Sequence, residues 1–144
     1  MLSKEFQPPI PRNQMSKPTF AVAQSLVVPN GSCVLKIGSP WIELLVDGIK
    51  TMEIRGRVCK KLPGTKVYFY QIGTGDILGY AFLKCVELLT AARWTETRTE
   101  HCISGERPYG ESTYGYTFRD FFKFSTPGKN TTARGFVWAI AKGV

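Results

Sequence analysis

Short apolar runs that alternate every second residue, separated by turns bearing Gly and Pro, predict an α+β fold: a small, mostly antiparallel β-barrel with two short helices. Three stretches lead there. Residues 65–72 set Val67, Phe69 and Gln71 against Lys66, Tyr68, Tyr70 and Ile72, a strand pattern rich in aromatic rings. Residues 77–89 form the longest apolar run and open as a strand, with Gly79 placed as a bulge of the kind that bends barrels. Residues 135–141 are apolar on both faces, which predicts a central buried strand.

Composition sets the outer limits. A chain of 144 residues suits one domain, and an apolar share of 43% is enough for a core without staples. Nineteen basic against eleven acidic residues give a net charge of +8, which favours a polyanionic partner such as nucleic acid. No apolar run approaches the roughly 20 residues of a membrane span, so no membrane partner is expected. Cys33, Cys59, Cys85 and Cys102 lie far apart without a Cys-x-x-Cys pair, and His101 is the one histidine; no metal and no other cofactor is expected. Cys33 and Cys85 sit in apolar runs and read as small buried hydrophobes, hence an intracellular chain, cytoplasmic or nuclear. Asn130-Thr131-Thr132 matches a glycosylation acceptor, but nothing else marks secretion.

Residues 1–32, with Pro8, Pro9, Pro11 and Pro18 and no sustained periodicity, read as a flexible arm. A second reading, an organelle-targeting segment, is short on arginine. Its apolar stretches at residues 20–23 and 26–28 could pair as an edge strand, and Pro29-Asn30-Gly31-Ser32 is a turn that places the domain at residues 33–144, expected as a monomer. Residues 33–37 form the first strand. Residues 39–48 read as a helix with Ser39 as cap, Pro40 at the first helical position, Gly48 as the left-handed stop, and Trp41, Leu44 and Leu45 on one face. Residues 90–104 read as a short helix capped by Thr90. His101 reads as a lone surface histidine in preference to an acid–base partner of Glu100. Residues 105–115 form a loop whose Arg107, Tyr109 and Tyr114 are of types that stack on bases. Tyr116, Phe118, Phe122 and Phe124 fall on one core face, and residues 125–134 form a turn offering Lys129 and Arg134 as phosphate contacts.

The helix at 39–48 delivers the chain into Gly48-x-Lys50-Thr51-x-Glu53-x-Arg55. Alternation puts Met52 and Ile54 inward and Thr51, Glu53, Arg55 and Arg57 outward, with Lys50 at the head of the polar row and Glu53 beside Arg55 as a surface pair. Pro40-Trp41, Leu44-Leu45 and this motif together resemble the signature of the ASCH domain family, over about residues 33 to 142. The resemblance implies a PUA-like barrel with an RNA-directed cleft beside the motif. On that reading Lys50, Arg55, Arg57, Lys60, Lys61 and Lys129 meet phosphates, and Trp41 and Tyr109 stack on bases of single-stranded or structured RNA, or receive a modified nucleoside. The alternative is a hydrolase acting on RNA or a modified nucleoside, either a ribonuclease or one like the small ASCH amidohydrolases that deacylate a modified cytidine, with Lys50, Thr51 and Glu53 catalytic. In those enzymes a threonine stands three residues after the lysine, where this chain has Glu53, so binding ranks above hydrolysis. A protein-interaction or coregulator domain is the third class.

Overall fold

The computed structural model of the protein describes residues 28, 29, 31–129 and 138–140. The arm up to residue 27, the Asn130 acceptor and Arg134 lie outside the described residues. The first strand, β1 (Cys33–Ile37), is followed by helix α1 (Trp41–Val46) and β2 (Met52–Arg55). Then come β3 (Lys66–Gln71), β4 (Asp76–Leu88), helices α2 (Ala91–Glu96) and α3 (Arg98–His101), a 3₁₀ turn at Gly110–Ser112, β5 (Tyr114–Lys129) and β6 (Trp138–Ile140). The six strands form one mixed sheet in the order β2-β5-β4-β3-β1-β6, with β1 parallel to β3 and all other described pairs antiparallel.

The sheet curls into a half-barrel, and one contact shows how far. Arg55 on β2 donates to the backbone carbonyl of Lys36 on β1 at 2.8 Å, although three strands separate these two in the hydrogen-bonding order. Inside the curl lie Leu35, Ile37, Ile42, Leu45, Val67, Phe69, Ala81, Leu83, Tyr116 and Phe118, from β1, β3, β4, β5 and α1. Phe69 and Phe118 meet edge to face at 5.3 Å.

Bulges make the curl possible. Gly79 approaches β5 so closely that a Cβ there would overlap the carbonyl oxygen of Phe122. Opposite, Asp120 takes a left-handed conformation (φ 56°) and inserts an extra residue, so that Phe82 pairs with Arg119 but Tyr80 pairs with Phe122. The insertion reverses the side-chain parity of β5. Tyr116 and Phe118 point into the core, whereas Phe124 joins Val28, Val34, Tyr68 and Ile77 in a second cluster on the other face of the sheet. The single aromatic core face expected for residues 116–124 is therefore split in two.

Other expectations need correcting too. Among the described residues there are three short α-helices, because Thr97 ends α2, its hydroxyl donating to the Arg93 carbonyl at 2.7 Å, and α3 starts at once. Thr90 does cap α2, accepting from the Arg93 N–H at 3.1 Å. In α1, Pro40 is the N-cap residue, and Ser39 donates to the Glu43 carboxylate at 2.7 Å instead of capping the backbone. Its buried residues are Ile42, Leu45 and Val46, with Trp41 and Leu44 half-buried. Residues 125–129 continue β5, not a turn, and among the described strands β6 (Trp138–Ile140) stands at the end of the order instead of centrally. Cys85 is exposed and Cys33 half-buried; Cys59 is the cysteine that packs in the core.

Candidate nucleic-acid interface

The motif begins where α1 stops. The Leu44 carbonyl accepts the N–H groups of both Ile49 and Lys50 at 3.0 Å, a reversal that Gly48 permits through its φ of +75°. Thr51 is then pinned from two sides, its N–H donating to the Glu100 carbonyl and its own carbonyl accepting from Phe118 N–H, both at 2.9 Å. Strand β2 pairs with β5 on one edge, so Met52, Glu53 and Ile54 are all buried. The solvated outer row expected from alternation is largely covered, with Glu53 buried, Thr51 and Arg55 half-buried and Arg57 alone exposed, because α3 packs beside β2 and supplies the Glu100 and His101 carbonyls.

Lys50 has no exposed surface. Its Nζ donates to the His101 carbonyl, lies 3.8 Å from Glu53 Oε1 and stands 5.0 Å from the centre of the Trp41 ring. Burial pushes its pKa below the usual lysine value, against the pull of Glu53. Glu53 is 5% exposed, and Arg55 grips its Oε2 through Nε at 2.9 Å and Nη2 at 2.7 Å. Since Nη2 also reaches the Lys36 carbonyl, one guanidinium joins the motif carboxylate to the opposite end of the sheet. Glu53 and Arg55 are thus a structural couple, the carboxylate buried and the guanidinium half-buried, rather than a surface pair, and Lys50 is an interior cation rather than one on a rim.

His101 is buried as well, contrary to the surface residue expected. Its ring stacks on Trp94 with centroids 3.8 Å apart and 13° between planes. Ile103 N–H donates to Nδ1 at 3.0 Å, which fixes the proton on Nε2, and Nε2 donates to the Trp94 carbonyl at 2.9 Å. Both ring nitrogens are engaged by backbone, so no acid–base couple with Glu100 exists here. The one sequence cue was Trp94 seven residues before His101, two turns on the same helical face.

The remaining candidates divide by exposure. Arg57, Lys60 and Lys61 are exposed on the loop that follows β2, and the Arg57 carbonyl accepts from the Tyr116 hydroxyl at 2.6 Å. Tyr109 joins them. Its ring lies against Gly56, where an added Cβ would come within 2.8 Å, yet 50% of the residue stays exposed. Trp41 is half-buried over Lys50, and Thr51 is half-buried beside it. Arg107 instead donates to the Leu89 carbonyl at 3.1 Å and lines a cavity of about 270 Å³ with Leu88, Leu89, Thr90, Ala91 and Glu111, none of them motif residues. Tyr114 is half-buried against the core, and the Lys129 side chain is outside the described residues. Among the described residues no group of three or more His, Cys, Asp or Glu could hold a metal ion, and no helix is long and apolar enough to cross a membrane.

A curled mixed sheet entered by a short helix has the PUA-like architecture of ASCH domains. The ASCH protein of Zymomonas mobilis superposes with a TM-score of 0.61 at 18% identity, covering 69% of this chain and 73% of that one. A Tyr-to-Phe mutant of the same protein gives 0.60 at 19% identity, covering 69% and 76%. A Ser-to-Ala mutant gives 0.65 at 17% identity, covering 78% and 89%. The chain therefore shares the ASCH fold with these structures. No family model matches the sequence, and no curated protein matches it.

Proposed function

We propose that the protein is an RNA-binding domain whose contact surface is the loop after β2 together with Tyr109. The observation that carries this reading is the Tyr109 ring lying on Gly56 with half its surface open, one residue away in the chain from the exposed Arg57. An aromatic ring held from behind by backbone offers one face to a base at little ordering cost, and nearby cations supply the phosphate contacts. Arg57, Lys60 and Lys61 have the exposure this needs. Lys50, Glu53 and Arg55 serve in this reading by fixing the strand from which the loop leaves, and a nucleoside would reach Lys50 only by displacing what covers it. The hydrolase reading has less behind it, since Glu53 stands where a nucleophilic hydroxyl is needed and is held by Arg55.

Anisotropy titrations of full-length protein with a labelled single-stranded RNA test the reading. Arg57→Glu with Lys61→Glu should weaken binding at least about tenfold across sequences and reduce the salt slope by about 1.4, at roughly 0.7 for each phosphate no longer neutralised. Tyr109→Ala should weaken binding without changing that slope. A folded double variant with unaltered affinity would remove this surface from consideration. Hydrolysis of an acylcytidine by the parent, abolished in Lys50→Ala, would replace binding with catalysis.

A further inference from the structure

The face of the sheet turned away from the core carries a second aromatic surface. Across β3, β4 and β5 the register aligns Tyr68, Tyr80 and Phe122 in one row and Lys66, Phe82 and Arg119 in the next. Neighbouring rows on one face lie about 7 Å apart along a strand. Tyr80 is the hub, with ring centroids 5.5 Å from Tyr68, 5.9 Å from Phe82, 5.2 Å from Phe122 and 6.1 Å from Phe124. Cations lie on the same rings. Lys66 Nζ stands 4.0 Å from the Tyr80 centroid, and the Arg119 guanidinium stands 5.6 Å from that of Phe82.

Among the described residues, this surface is only partly covered. Val28 packs on the Tyr68 and Phe124 end, and both of those rings are 7% exposed. Tyr80, Phe82 and Phe122 stay half-buried, with Lys66 and Arg119 exposed at either side of Phe82. A folding core needs no cations over its rings, and a solvated sheet face needs no contiguous rings. Among the described residues, Asp120 is the acidic group paired with a cation of this patch, Arg119.

We infer that the outer face of β3, β4 and β5 is a stacking platform for single-stranded RNA, in which Phe82 and Tyr80 receive successive bases and Lys66 and Arg119 meet the flanking phosphates. Charge complementarity selects this occupant over an apolar protein surface: the rows present two cations against one carboxylate, and bases can displace the lysine ammonium from a ring while their phosphates retain it nearby. Aromatic rings on one face of adjacent strands stack two or three bases in RNA-binding sheets, which is the number the half-buried rings of this patch accommodate. The inference deepens the RNA-binding reading by giving the strand a second contact surface, and it stands on residues that reading does not use.

The test uses full-length protein and a fluorescein-labelled 12-nucleotide oligouridine, with photocrosslink mapping by mass spectrometry. Crosslinks are expected in the peptides holding Tyr80, Phe82 and Phe122. Phe82→Ala should weaken binding about 5- to 100-fold, and Phe82→Trp should preserve it. Lys66→Glu with Arg119→Glu should lower the salt slope by about 1.4 while leaving the melting temperature near the parent's, which keeps the test independent of core damage. Parent-like binding by Phe82→Ala and by the charge-reversed protein, with crosslinks confined to the Tyr109 loop, would overturn the platform and leave the proposed function standing. A concentration-dependent dimer dissolved by the same variants would overturn it in favour of a second copy of the chain. The opposite loss, with Arg57→Glu/Lys61→Glu binding like the parent, would refute the loop reading alone.

Discussion

His101 shows how one residue's burial becomes a pH dependence. Its pKa is pushed below the ordinary 6.5 first by burial, with the Lys50 and Arg98 charges acting in the same direction and the bond to the Trp94 carbonyl opposing them. In the unfolded chain the imidazole takes a proton near 6.5, whereas the folded chain resists until a lower pH. Between those two values the unfolded state holds the extra proton. Stability contributed by neutral His101 is therefore complete above about pH 6.5 and declines as pH falls toward the folded value. Protonation would also turn Nδ1 into a donor facing the Ile103 N–H, so the bond that fixes the tautomer is broken. Urea midpoints at pH 7.5 and 5.5 check this: the parent should lose stability over that interval, and His101→Phe should lose distinctly less, although it starts lower because Ile103 N–H has no acceptor there. Equal slopes for the two proteins would assign the pH effect elsewhere. The seven-residue spacing from Trp94 was the one hint of this in the sequence; the burial itself depends on α3 packing beside β2, which local spacing does not show.

At the scale of elements, bulges decide which aromatic goes where. Gly79 is required by proximity, not by its own dihedrals, because the Phe122 carbonyl occupies the space a Cβ would need. Gly79→Ala should cost about 1–3 kcal/mol or more by forcing β4 and β5 apart, visible as a lower urea midpoint, and should disturb the Tyr80–Phe122 contact at 5.2 Å. An alanine variant as stable as the parent would mean that the two strands separate there without cost. The sequence predicted the Gly79 bulge correctly, from a glycine within a long apolar run. It did not reveal the partner bulge at Asp120, because an aspartate in a left-handed conformation looks like any polar residue of an alternating strand. Missing that one insertion merged Phe122 and Phe124 with the core and concealed the outer aromatic face. For the same reason the helix break at Thr97 was unreadable: the hydroxyl that ends α2 by bonding backwards is one of five threonines between positions 90 and 113.

For the whole molecule, the motif reads as a closure device. The sequence foretold where the strands lie along the chain and the helix that delivers it to Lys50, both of which follow from local spacing. It could not foretell burial of the motif, which depends on α3 packing beside β2 and on β1 coming around to meet β2 from the far end of the sheet. Arg55 is the link between those ends, since one planar guanidinium serves Glu53 with two nitrogens and the Lys36 carbonyl with one of them. A lysine there retains the charge but has no fork with which to hold a carboxylate and a carbonyl in fixed relation. Glu53, 5% exposed, would keep Lys50 at 3.8 Å as its remaining close cation. Arg55→Lys should accordingly cost about 2–3 kcal/mol, within the range for damaging a buried charged network while keeping its net charge. The position of the loosening is the sharper readout. Hydrogen exchange should accelerate in residues 33–37 and in residues 52–55 together, although they lie at separate places in the sheet order, while the β3–β4 ladder keeps the parent's protection. Acceleration limited to residues 52–55 would show that Arg55 merely anchors its own strand and that the core alone holds the half-barrel closed.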